Sequence, residues 1–76
     1  MDCKQLHKLI PEHSEATLSR ALMHKNVLAA VKDLEEAMKH IARYPEKSSA
    51  RRDWETTRDE LLTEVRRLTQ RLTNGP

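Results

Sequence analysis

The side chains in this chain that can hold a metal or move a proton are four histidines, one cysteine and twelve carboxylates. Their spacing assembles none of the usual sites. His7, His13, His24 and His40 are scattered, and no glutamate flanks two histidines at helical spacing. Cys3 and His7 are four apart and would share a face of a helix, which is half of a metal site; no further ligands are evident. No Ser, Cys or Thr stands in a nucleophile-elbow setting, and a single glycine leaves no phosphate-cradling loop. Glu55 with Arg58 and Glu64 with Arg67 alternate charge along one segment, which is how a helix face is kept soluble. The expectation is a protein that is not an enzyme, with no metal and no cofactor.

The basic residues carry more information. Lys25, Lys32 and Lys39 repeat every seven positions, Arg43 follows one turn on, and only Glu36 interrupts. On a helix such a row advances along one face and can track a phosphate backbone, with Arg51, Arg52, Arg58, Arg66, Arg67 and Arg71 supplying more charge from the last segment or from a dimer mate. The alternative is an ordinary solvated face, on which Glu35 and Glu36 pair with Lys39 and Lys32.

A second feature lies near the start. Gln5 to Ile10 followed by Ser14 to Leu22 has the outline of a helix-turn-helix, and Ala16-Thr17-Leu18-Ser19-Arg20 is similar to the recognition helices of LacI-type repressors. That resemblance implies that Thr17, Ser19 and Arg20 face a groove of DNA while Leu18 and Leu22 pack inward. The chain departs from the pattern where the turn lacks its glycine and Pro11 stands at the end of the first helix. The other reading makes these two short helices a cover for the longer ones.

These residues must be held by helices. From Ser49 to Thr73, Trp54, Leu61 and Leu68 recur every seven positions, Val65 and Leu72 fall between them, and Leu62 widens the stripe. An isolated helix cannot bury such a stripe, so it must find a partner within the chain or outside it. Before it, Val27, Leu28, Val31, Leu34, Met38 and Ile41 form a second stripe with Ala30, Ala37 and Ala42 as small fillers. Pro45 forces Tyr44 out of the helical region, and Ser48 or Ser49 can cap the helix after it. A connection this short makes residues 26–44 and 49–73 antiparallel neighbours, with Ile41 and Met38 near Trp54, Leu34 nearer Val65 and Val27 nearer Leu72. Trp54 then seals the turn end. Upstream, Leu6, Leu9 and Ile10 give one apolar face that Pro11 closes, Ser14 is a natural N-cap, and Leu18, Ala21 and Leu22 begin a further helix. The apolar phase slips across His24-Lys25-Asn26, so either one helix from Glu15 to Tyr44 is distorted there or Asn26 caps a new one. Gly75 suits the left-handed position after the last helix.

The chain has 76 residues, 37% apolar and 34% charged, with one Gly, three Pro and no Phe. That bounds it to one domain, 1–76, all-α, and short of core for its size. One cysteine rules out an internal disulfide, so self-association through Trp54, Leu61, Val65, Leu68 and Leu72 is expected, in the form of a homodimer. No apolar run approaches a membrane span, and Met1 to Ile10 lacks the apolar core of a signal peptide, so an intracellular, cytoplasmic setting is the simplest expectation. In size and plan the chain resembles small dimeric helical-hairpin proteins that bind RNA, such as the plasmid copy-control protein Rop and the nodavirus RNA-silencing suppressors. The likeness is one of architecture and assigns no binding residue. It implies two hairpins paired into a four-helix bundle that presents one helical face to RNA. The expected function is thus a regulatory or suppressor homodimer that binds duplex RNA or DNA through Lys25, Lys32, Lys39, Arg43, Arg51 and Arg58. The alternative is a module that docks on a protein partner through its amphipathic helices.

Overall fold

The computed structural model describes residues 1–74. The described residues form four helices and no strand: α1 (Cys3–Leu9), α2 (Glu15–Ala21), α3 (Lys25–Arg43) and α4 (Ser49–Asn74). The chain is all-α. The left-handed position expected of Gly75 lies outside the described residues.

The first two helices are seven residues each, too short to persist alone. Local chemistry defines their ends. Asp2 and Gln5 make a reciprocal cap, the Gln5 N–H donating to the Asp2 carboxylate at 2.9 Å and the Asp2 N–H to the Gln5 side chain at 3.1 Å. Ser14 caps α2 by accepting the Thr17 N–H at 3.2 Å. Between them the His7 Nδ1–H donates to the His13 carbonyl at 2.7 Å and closes the Pro11 turn.

The phase slip at residues 24–26 is a true break, but Asn26 does not cap it. The N–H groups of Met23 and His24 donate to the carbonyls of Arg20 and Ala21, which ends α2. His24 then turns to φ −90°, ψ 133°, and its own carbonyl accepts the Leu28 N–H at 2.9 Å. Because the α2 terminus uses the preceding N–H groups, the new ladder starts two residues earlier than the best capping side chain. His24 makes no side-chain cap bond, and Asn26 lies inside the first turn.

Helices α3 and α4 make the most extensive contact between any two elements, and they are joined by residues 44–48. Tyr44 is extended, as a residue before proline should be, and Ser48 accepts the Arg51 N–H at 3.3 Å. Beside this connection the His40 ring stacks on Trp54, with centroids 4.1 Å apart and planes 9° from parallel. At the far end Leu72 shares a cleft with His24. At 26 residues α4 is about 39 Å long, and it sets the longest dimension of 44 Å.

One apolar cluster joins all four helices. Leu6 and Ile10 from the first, Leu18 and Ala21 from the second, and Val27, Ala30, Val31 and Leu34 from α3 close around Val65 of α4. Leu9, Leu22, Met38, Leu61, Leu62 and Leu68 pack at its edge. The short helices are therefore part of the core. Truncating Leu34, which is fully buried, to alanine should cost about 2–5 kcal/mol. Urea unfolding followed by circular dichroism should show the midpoint falling accordingly; an unchanged midpoint would mean that this cluster does not hold the helices together.

Candidate functional site

The lysine row sits on the outer face of α3. Val27, Val31, Leu34 and Ile41 turn inward and are buried, whereas Lys25, Lys32, Lys39 and Arg43 fall on the opposite side of the helix and are exposed. Seven residues advance about 10 Å along a helix, so the lysines are evenly spaced cations. Lys39 reaches Glu36 at 3.4 Å, with both side chains well exposed. Glu35 turns the other way and pairs with the Met1 amino group. Among the described residues Lys25, Lys32 and Arg43 make no ion pair.

The arginines of α4 are deployed differently. Arg51 donates to the Tyr44 carbonyl at 3.0 Å and approaches Glu55 at 3.9 Å, which ties the connection down. Arg58 bonds Asp59 at 3.0 Å and lines a cavity with Met38 and Ile41 at the seam between α3 and α4. Arg67 pairs with Glu64. Arg66 has a structural role: its Nε donates to Glu12 at 2.6 Å and its Nη2 to the Leu9 carbonyl at 3.2 Å, which fixes the end of α1 to α4. Nothing in the spacing foretells that contact, since its partners are 54 and 57 residues away. Arg52 and Arg71 are exposed. The structure thus gathers Lys25, Lys32, Lys39 and Arg43 on one face and leaves Arg51 and Arg58 off it.

The residues matched to a recognition helix divide. Ser19 and Arg20 are exposed, but Thr17 is half-buried, its N–H and hydroxyl both engaged with Ser14. Thr17 and Arg20 line a cleft with Leu72 and Thr73, so this flank of α2 looks toward the end of α4. A helix reading a groove needs that flank open. The apolar stripe also divides. Val65 is fully buried inside its own chain. Trp54, Leu61 and Leu68 remain half-buried and Leu72 is 42% exposed.

Among the described residues no three His, Cys, Asp or Glu side chains come together to hold a metal ion, and no helix is long and apolar enough to cross a membrane. Compared with protein families, with curated proteins and with solved structures, the chain matches none of them.

The link between Arg66 and Glu12 leaves an electrostatic mark. A hydrogen bond from its own backbone N–H does most to hold the Glu12 carboxyl below the ordinary carboxylate value; desolvation opposes it, and the hydrogen bond and charge of Arg66, with the charge of His13, lower it further. A carboxyl with a lowered folded value contributes stability above its unfolded value and loses that contribution as the pH falls through the lowered one. Carbon-detected NMR titration should show Glu12 titrating low, and Arg66→Gln should move it up toward the ordinary value while the ends of α1 become more mobile. If Glu12 titrates identically in both proteins, the tether does not form in solution.

Proposed function

We propose that the chain folds α3 back along α4 as an antiparallel hairpin, pairs two such hairpins, and binds the backbone of duplex RNA or DNA through the outer face of α3 as a regulatory or suppressor protein. One observation carries the reading: Lys25, Lys32, Lys39 and Arg43 lie in a line on the face opposite the core, and three of the four have no ion pair within the described residues. Unpaired cations are free to exchange counterions for phosphates, and the release of counterions from the nucleic acid drives such binding. The half-buried flank of Trp54, Leu61 and Leu68 supports pairing, because it leaves apolar surface that a second copy can cover. The row contacts phosphates and no base edge, so it binds any sequence with similar affinity.

Four phosphate contacts per protomer give a slope of log affinity against log salt of about −3.6 on duplex DNA, and about −7 if both protomers engage one duplex. Lys32→Glu combined with Lys39→Glu should abolish binding in a fluorescence anisotropy titration and leave the circular dichroism spectrum unchanged. Binding that ignores salt, or that survives the double reversal, would rule the reading out.

The second reading is a protein-interaction module, and the same incompletely covered stripe favours it. Light scattering of Leu61→Asp and Leu68→Asp separates the two. Loss of assembly together with loss of duplex uptake fits the paired hairpin. Intact duplex uptake by the dissociated chain frees the stripe for another protein.

A further inference from the structure

Helices α1 and α2 cover the α3–α4 seam over only part of its length. Their buried residues Leu6, Ile10, Leu18 and Ala21 meet Val27, Val31 and Leu34 from the first half of α3 and Val65 from the second half of α4. Nearer the connection the same side of the seam is uncovered, and it opens into two adjoining cavities of about 560 and 400 Å³. Leu9, Met38 and Ala42 line both, so the two form one groove. Ile41 and Leu62 complete its apolar floor from the two sides of the seam.

The rim is basic. Lys8 and Lys39 border one cavity and Arg51 and Arg58 the other, against two lining carboxylates, Glu35 and Asp59. Four cations less two anions leave +2, as much as the formal charge of the whole chain. Both carboxylates are already engaged, Glu35 by the Met1 amino group and Asp59 by Arg58. Lys39 and Arg51 also approach Glu36 and Glu55 at 3.4 and 3.9 Å, but neither of those carboxylates lines the groove, and exposed pairs of this kind contribute little.

We infer that this groove is a docking site for an acidic amphipathic helix of another protein, on a surface that shares only Lys39 with the row proposed to bind a duplex. The fit rests on length, polarity and charge. Arg51 and Leu62 both line it, and residues that far apart on α4 span about 16 Å, room for about three turns of a partner helix. Apolar residues at every third or fourth position of that helix rest on Leu9, Met38, Ala42 and Leu62, and flanking Asp or Glu side chains meet the basic rims. The charge argues against a second copy of this chain. A twofold axis would set the groove on itself and bring like-charged rims together. Lys39 belongs both to this rim and to the outer row of α3, so the partner helix and a duplex compete at that residue.

The test uses the full chain and a fluorescein-labelled synthetic helix of about 14 residues, with leucine along one face and glutamate on both flanks, beside a copy carrying lysine in place of each glutamate. Anisotropy should rise with the acidic peptide, with affinity at least about tenfold above that of the basic one and falling with salt. Ala42→Glu, at an exposed position lining both cavities, should weaken the acidic peptide at least tenfold, as should Lys8→Glu, whereas Lys32→Glu should leave it unchanged. Circular dichroism checks that each variant is folded. No binding, equal binding of both peptides, or indifference to Ala42→Glu and Lys8→Glu would overturn the proposal. So would uptake of sodium laurate or phosphatidylserine vesicles in place of the peptide, or dissociation of a dimer by Ala42→Glu. Duplex binding is read separately through Lys32→Glu, so failure of either surface leaves the other standing.

Discussion

Val65 is the one apolar side chain of α4 that is wholly buried among the described residues, and the arrangement of the other three helices depends on where it goes. It enters a cluster shared with Val27, Val31 and Leu34 on α3 and with Leu6, Ile10 and Leu18 before it. Burying a valine contributes about 1.5–3 kcal/mol, a large share of the stability of so small a chain. The flanking Leu61, Leu62 and Leu68 only rim that contact. A long helix anchored at one point needs further ties, and the Arg66 bonds to Glu12 and Leu9 and the stack of His40 on Trp54 supply them on either side.

The helices were legible in the sequence, and which side chains of α4 reach the core much less so. The restart of the apolar phase after His24 and the proline at position 45 mark both boundaries of α3, because each reflects local backbone chemistry. The capping residue was not legible. Asn26 is the better side chain, but the backbone bonds that end α2 leave the role to His24, which makes no side-chain cap. Along α4 the seven-residue recurrence of Trp54, Leu61 and Leu68 is the strongest pattern, yet these residues flank the seam. A straight helix turns 3.6 residues per cycle, so a strict seven-residue row drifts across the face, and Val65 and Thr69 fall nearer its centre. Thr69 shows the limit of the pattern most plainly, since it is polar, fully buried and its hydroxyl has no partner.

The charges divide in a similar way. Pairs three or four residues apart, such as Glu64 with Arg67, could be read from spacing alone. Whether a given cation is free could not, because Glu35 was a plausible mate for Lys39 and instead engages the amino group of Met1, while Arg66 holds α1. The solvent face of α3 keeps its cations because no other element packs there. The two candidate surfaces differ in the same respect: a row of charge is visible in a sequence, whereas a groove bordered by Leu9, Met38 and Leu62 exists only once three helices have met.

The connection at residues 44–48 has a consequence for the order of events in folding. Closing a loop of that length takes on the order of 100 ns or less, and the contacts it brings together between α3 and α4 are the most extensive between any two helices. The bonds from Arg66 to Leu9 and Glu12 close loops more than ten times longer, and loop-closure entropy delays them. Helices α3 and α4 therefore meet before Arg66 can engage the end of α1, so that this tether forms late and opens early. In amide exchange the amides of α1 would then be the earliest to lose protection, through an opening that leaves the α3–α4 seam intact.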